Sequence, residues 1–132
     1  MTRSTARGVL IVDDHDDARE LLSEFLMHEG YHTIMAANGR AALDRLAYVQ
    51  PDLIISDLEM PEMDGVELIR HLRAAPALVP IPVIVLTSFD TESAKQRLGA
   101  LVSNVRVILR KPVKLGAMLQ AVVDCLAPSA SD

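Results

Sequence analysis

Three carboxylates, one hydroxyl and one ammonium draw attention in this chain because each stands at the end of a short apolar run. Asp13 and Asp14 follow Gly8-Val9-Leu10-Ile11-Val12, Asp57 ends Leu53-Ile54-Ile55-Ser56-Asp57, Thr87 follows Val83-Ile84-Val85-Leu86, and Lys111 comes shortly after Val105 to Leu109. Singly, each has an ordinary use: an Asp caps the next element, a Thr makes a side-chain turn, a Lys is a solvated charge. Gathered on one edge, they would form a site. Three crowded carboxylates repel one another and resist ionising unless cations neutralise them. Lys111 supplies one positive charge, and the remaining deficit of about two suits a divalent ion; an all-oxygen donor set without a cysteine or histidine cluster suits Mg²⁺ rather than Zn²⁺. Such a group, with a hydroxyl beside it, is equipped to stabilise the equatorial oxygens of a phosphoryl group in flight, with Asp57 as the nucleophile. His15, next to Asp14, reads as a surface residue at a helix start. No glycine-rich phosphate loop is present, so a nucleotide cofactor is not indicated.

The elements that must bring these residues together follow from the hydrophobic period. The runs named above are too short for helices and apolar on both faces, as buried parallel strands are. Between them the period changes to that of helices: Ala18, Leu21, Leu22, Phe25 and Leu26 share one face, and Gly30 supplies the stop. Tyr31 to Ala36 is a strand of mixed polarity, suited to a sheet edge. Asn38 can cap a helix carrying Ala42, Leu43 and Leu46, and Asp64 one carrying Val66, Ile69 and Leu72. Asp90 to Ser103 reads as a more polar helix interrupted by Gly99, with Asn104 suited to a left-handed stop. A last helix presents Leu115, Met118, Leu119, Val122, Val123 and Leu126, with Cys125 near that face as a packed small hydrophobe. Five strand-helix units without a long linker predict one α/β domain, a parallel sheet covered by helices on both faces. Right-handed crossovers then put every strand's carboxyl end on the same edge, where open α/β sheets hold their ligands. Residues 1–7 and 128–132 read as flexible tails around a domain at 8–127.

Composition excludes several functions. The 132 residues suffice for one core without staples, and half of them are hydrophobic. A formal charge of −5 and no gathered Lys or Arg argue against direct nucleic-acid binding. With one cysteine no internal disulfide forms, and no signal peptide or bilayer-spanning run is present, so a cytoplasmic protein without a membrane partner is expected.

In the order and spacing of Ile11-Val12-Asp13-Asp14, Leu53 to Asp57 with Met60-Pro61 and Asp64-Gly65, Val83 to Thr87, and Lys111-Pro112, the chain resembles the receiver domains of response regulators in two-component signalling. The resemblance covers about Gly8 to Ala127. It implies a flavodoxin-like (βα)5 fold with strand order 2-1-3-4-5, and a cis peptide at Lys111-Pro112. It implies that Asp57 accepts a phosphoryl group from a sensor histidine kinase or a histidine phosphotransfer protein, and that the domain, a monomer or weak dimer, then acts on an output partner. In such domains Asp14, Asp57 and the backbone carbonyl of Glu59 would bind Mg²⁺ directly, Asp13 closely or through water; Thr87 and Lys111 would hold the phosphoryl oxygens. Glu59 and Phe89 occupy positions that tune phosphoryl lifetime. One departure stands out: the family usually carries Tyr or Phe where this chain has Ile108, so switching through an aromatic ring is in doubt. A haloacid-dehalogenase-like phosphatase is a poorer match, since it needs a second Asp where Glu59 stands and places its paired acids late. A degenerate receiver serving only for docking is opposed by the intact acids, Thr87 and Lys111.

Overall fold

Val, Ile and Leu fill the short apolar runs, and such side chains pack well on a pleated surface. In the computed structural model, which describes residues 6–127, these runs are strands: β1 (Gly8–Val12), β2 (His32–Ala36), β3 (Leu53–Asp57), β4 (Val83–Thr87) and β5 (Val107–Arg110). They form one sheet in the order β2-β1-β3-β4-β5, every neighbouring pair parallel. The helices are α1 (Asp16–His28), α2 (Gly39–Leu46), α3 (Gly65–Ala74), α4 (Thr91–Leu98) and α5 (Leu115–Leu126).

Alternation along each strand divides the interior into two cores. Leu10, Val12, Ile54, Val83 and Val85 face one side, against Ala42 of α2, Leu68, Ile69 and Leu72 of α3, and Ala94 and Leu98 of α4. Val9, Ile11, Leu53, Ile55, Ile84 and Leu86 face the other, against Leu22 and Leu26 of α1 and Met118 and Val122 of α5. This is the doubly wound, flavodoxin-like arrangement, with the strand order that the resemblance implied.

Local chemistry sets the helix starts. Asn38 accepts from Ala41 N at 2.8 Å, Asp64 from Glu67 N at 3.0 Å and Asp90 from Ser93 N at 2.7 Å, each satisfying an orphan first-turn amide. The Ser93 amide, helped by the Ser93 hydroxyl at 3.1 Å, holds the Asp90 carboxyl below its ordinary pKa. Neither Asp13 nor Asp14 caps α1, whose N-cap is His15.

The segment read as one helix from Asp90 to Ser103 is two elements. α4 stops at Leu98, and a 3-10 helix runs Gly99–Asn104. The left-handed residue is Gly99 (φ +56°), not Asn104, because a residue without a Cβ takes that backbone at least cost. The tighter turn that follows carries Leu101 into the core. β5 consequently begins at Val107, two residues later than the sequence suggests. The apolar stripes of α1 and α5 are also narrower than their periodicity implies. Leu21, Leu115 and Val123 are exposed, while Ala121 and Cys125 are buried; burial pushes the Cys125 thiol pKa up, so it packs as an inert small group.

Residues 1–5 and 128–132 lie outside the described residues. Arg7, assigned to the N-terminal tail from sequence, takes part in the fold: its carbonyl accepts from His32 N at 2.9 Å and its guanidinium lies 3.9 Å from Asp52. Among the described residues no helix is long and apolar enough to cross a membrane.

One polar contact is built into the α1 face of the sheet. Ser23, 3% exposed, shares a 2.6 Å hydrogen bond with the hydroxyl of Thr33 on β2. Ser23→Ala should cost about 1 kcal/mol, the net worth of one such bond. Urea unfolding would read this as a lower midpoint with an unchanged slope; an unchanged midpoint would show that the pair contributes nothing.

Candidate functional site

Because the strands are parallel, their carboxyl ends share one edge, and the residues singled out above meet there. Asp13 continues the β1 ladder by donating its amide to Ala36 O at 3.1 Å, and its carbonyl accepts from Arg19 Nη1 at 2.7 Å. Arg19 also binds Asp16 at 2.6 Å, so one guanidinium pins the loop that presents both acids. Asp57 is the last residue of β3. Lys111, whose amide donates to Thr87 O at 2.8 Å, leaves β5 on the same edge through a cis bond to Pro112.

Asp13, Asp14, His15 and Asp57 each offer a donor atom, all within 4.8 Å of one another. Asp57 is 1% exposed. Its Oδ2 accepts from Lys111 Nζ at 2.8 Å, and its Oδ1 makes no hydrogen bond within the protein. Asp14 Oδ1 is likewise buried without a hydrogen bond. Buried carboxylate oxygens are almost always satisfied, so two that accept no hydrogen bond within one acidic cluster fit a divalent cation with hard oxygen preference. The Asp57 carboxyl is pushed from its ordinary 3.8 up to about 7. Burial is the main cause; the Lys111 ammonium opposes it, and the neighbouring Asp13 adds to it.

His15 is an exposed residue at the start of α1, as read from sequence, but its ring also enters the cluster. Nδ1 lies 3.2 Å from Asp13 Oδ1 and 3.3 Å from Asp14 Oδ1.

The second half of the site holds a network that the sequence did not reveal. Thr87, fully buried, donates its hydroxyl to Glu59 Oε2 at 2.8 Å and accepts from Phe89 N at 3.1 Å. Glu59 Oε1 accepts from Ser88 N at 2.9 Å, and Arg97 Nη1 of α4 reaches Glu59 Oε2 at 3.1 Å. Arg97 Nη2 is also 3.6 Å from Asp64, the cap of α3. The Phe89 side chain is 52% exposed, whereas Ile108 is partly buried against the core under α4. Arg97 was missed because nothing local marks it. It is one of several charged residues on a polar helix, and its partner is 38 positions away.

A doubly wound parallel sheet with a cluster of acids and a lysine at its carboxyl edge is the architecture of receiver domains in two-component signalling. The family profile described as the response regulator receiver domain matches residues 9–123, and the chain belongs to that family. It is 40% identical over 120 residues to an uncharacterized 14.6 kDa protein of Leptolyngbya boryana, covering 90% of each chain. It is 40% identical over 96 residues to sporulation initiation phosphotransferase F of Bacillus subtilis, covering 70% of this chain and 76% of that one. Among solved structures, the chemotaxis response regulator CheY4 of Vibrio cholerae superposes with a TM-score of 0.85 at 32% identity, covering 92% of this chain and all of that one. Other curated relatives are longer, and the chain spans only 34% to 36% of the length of several of them.

Proposed function

We propose that this receiver domain accepts a phosphoryl group on Asp57 from the phosphohistidine of a sensor histidine kinase or histidine phosphotransfer protein, in a reaction that depends on Mg²⁺. The observation that carries this reading is the state of Asp57: buried, with one oxygen on Lys111 and the other without a partner beside two further acids. A carboxylate oxygen of Asp57 attacks phosphorus, the phosphorus–nitrogen bond of the donor breaks, and the donor imidazole leaves with the electron pair. The product is an acyl phosphate. Lys111, already on Asp57, neutralises charge on the oxygens in flight, and the Thr87 hydroxyl is the donor placed to bind a phosphoryl oxygen afterwards. Asp14, Asp57 and the Glu59 carbonyl would hold the ion, with Asp13 close by. When bound, Mg²⁺ supplies the charge neutralisation that three carboxylates and a phosphoryl group require of a site with one lysine.

The role is that of a signalling phosphoacceptor whose only catalysis is its own phosphorylation and dephosphorylation. The likeness to sporulation initiation phosphotransferase F supports a place in phosphoryl relay. For the donor protein the edge offers a cleft of about 410 Å³ between α1 and α5, bordered by Lys111, Pro112 and the exposed Leu21 and Leu115. The phosphorylated form would then act on an output partner through a shift in conformational population.

Acetyl phosphate with Mg²⁺, followed by intact-mass measurement, tests the reading. One phosphoryl group should be gained, prevented by chelator and removed by hydroxylamine, as an acyl phosphate is. A label that survives hydroxylamine would place the modification on Ser56 or Ser88 and overturn the assignment. Labelling that persists in chelator would refute the metal requirement.

A further inference from the structure

Ile108 is branched at Cβ and stiff at χ1, and it cannot swing a ring between buried and exposed positions as the family's aromatic would. A signal from Asp57 to the outer helices therefore needs another carrier, and the network around Glu59 has the required connections. The Thr87 hydroxyl has one proton, which it gives to Glu59 Oε2 at 2.8 Å. It cannot give that proton to a phosphoryl oxygen at the same time. Thr87 is fully buried, so solvent is poorly placed to relieve the competition. Ser88 N also donates to Glu59, so a move of Thr87 towards Asp57 draws a second donor away from the same carboxylate. Of the four side-chain and backbone groups joined here, Arg97 alone belongs to α4; it lies in that helix's last turn and grips Glu59 and Asp64 across the loop after β3.

We propose that Glu59 withholds the Thr87 hydroxyl until Asp57 is phosphorylated, and that Arg97 is the residue that positions Glu59 and carries the release to α4. This rests on Asp57 being the acceptor. Before phosphorylation, Glu59 has Thr87, Ser88 and Arg97 as donors. Once Thr87 turns to the phosphoryl group, taking Ser88 with it, Glu59 is left to Arg97, and the ion pair reseats with α4. Coupling of this kind is reciprocal: whatever strengthens the hold of Glu59 on Thr87 weakens phosphoryl binding by the same factor. Phe89 is half-exposed and takes no part in this carboxylate network through its ring.

Beryllofluoride, a phosphoryl mimic, can be titrated with Mg²⁺ while amide NMR shifts are followed at residues 57, 87 and 91–98. The proteins compared are wild type, Glu59→Ala, Arg97→Gln, Arg97→Lys and the double variant Glu59→Ala/Arg97→Gln. Glu59→Ala should bind beryllofluoride more tightly by on the order of tenfold, the effect of one hydrogen bond to a charged group. Arg97→Gln should tighten binding by a smaller factor and silence the shifts over 91–98 while those at 57 and 87 remain; Arg97→Lys should restore part of the α4 response. In the Glu59→Ala background, Arg97→Gln should add nothing, because Arg97 acts through Glu59. Unchanged or weaker binding in Glu59→Ala, additive effects in the double variant, or an intact α4 response in Arg97→Gln would each overturn the latch. No wild-type shift at residues 57 and 87 would instead refute the acceptor reading itself. Shifts there with a silent α4 would refute only the latch.

Discussion

Asp57→Asn is expected to abolish phosphoryl acceptance and, without Mg²⁺, to make the protein more stable at pH 8. The carboxyl titrates near 7 in the fold against an ordinary 3.8, so from about pH 4 to about pH 7 the folded protein holds a proton that the unfolded chain has released. Stability falls with rising pH wherever the native state binds more protons, so this group's contribution is most favourable below pH 4. It declines across the window and is fully lost above 7. Every tenfold change in proton affinity between the folded and unfolded chain is worth about 1.4 kcal/mol, which bounds the loss at about 4 kcal/mol. An amide of the same shape does not ionise, and the Lys111 side chain, partly exposed, can turn to solvent. Thermal unfolding at pH 5 and pH 8 in chelator should show the wild type losing stability over this interval and Asp57→Asn losing less, with the variant ahead at pH 8 by about 1–3 kcal/mol. Added Mg²⁺ should restore the wild type at pH 8 and leave the variant nearly unmoved, because the ion binds the ionised carboxylates. A variant less stable than wild type at pH 8 in chelator would show that the Asp57–Lys111 pair stabilises the fold, contrary to this account.

Gly65→Ala should be the most damaging single-methyl addition in the chain. Gly65 opens α3 shortly after the end of β3, with its amide on Leu58 O at 2.9 Å. A Cβ there would collide with the carbonyl oxygen of Asp57 and stand 2.8 Å from Leu58 Cα. Both obstacles are backbone, so no side chain can swing aside. α3 cannot withdraw either, since Leu68, Ile69 and Leu72 anchor it in the core. Overpacking of this kind costs about 3 kcal/mol, at the upper end of its usual range. The melting temperature should fall by roughly 10 °C. Beryllofluoride affinity should fall as well, because the displaced residues are Asp57 and its neighbours. Gly116→Ala is the internal control: nothing lies within 4 Å of a Cβ at that position in α5, and the change should be neutral or stabilising by up to about 1 kcal/mol. Equal melting temperatures for the two variants would refute the packing argument.

Alternating strands and helices, two-sided burial of the strands, and the placement of Asp13, Asp14, Asp57, Thr87 and Lys111 on one edge could all be read from the chain, because each rests on local information. A run such as Leu53 to Asp57 announces a buried strand by composition and length, and the handedness of crossovers does the rest. The strand order came from resemblance to receivers, since periodicity alone does not rank neighbours. Contacts between polar groups far apart in sequence carry no such mark. The bond from Thr87 to Glu59 spans 28 positions and that from Arg97 spans 38, and which donor wins a carboxylate depends on where the backbone delivers each one. The exposure of Leu21 was likewise decided by the tertiary structure. Periodicity states which side chains could face inward, but the space left between helix and sheet decides which of them do.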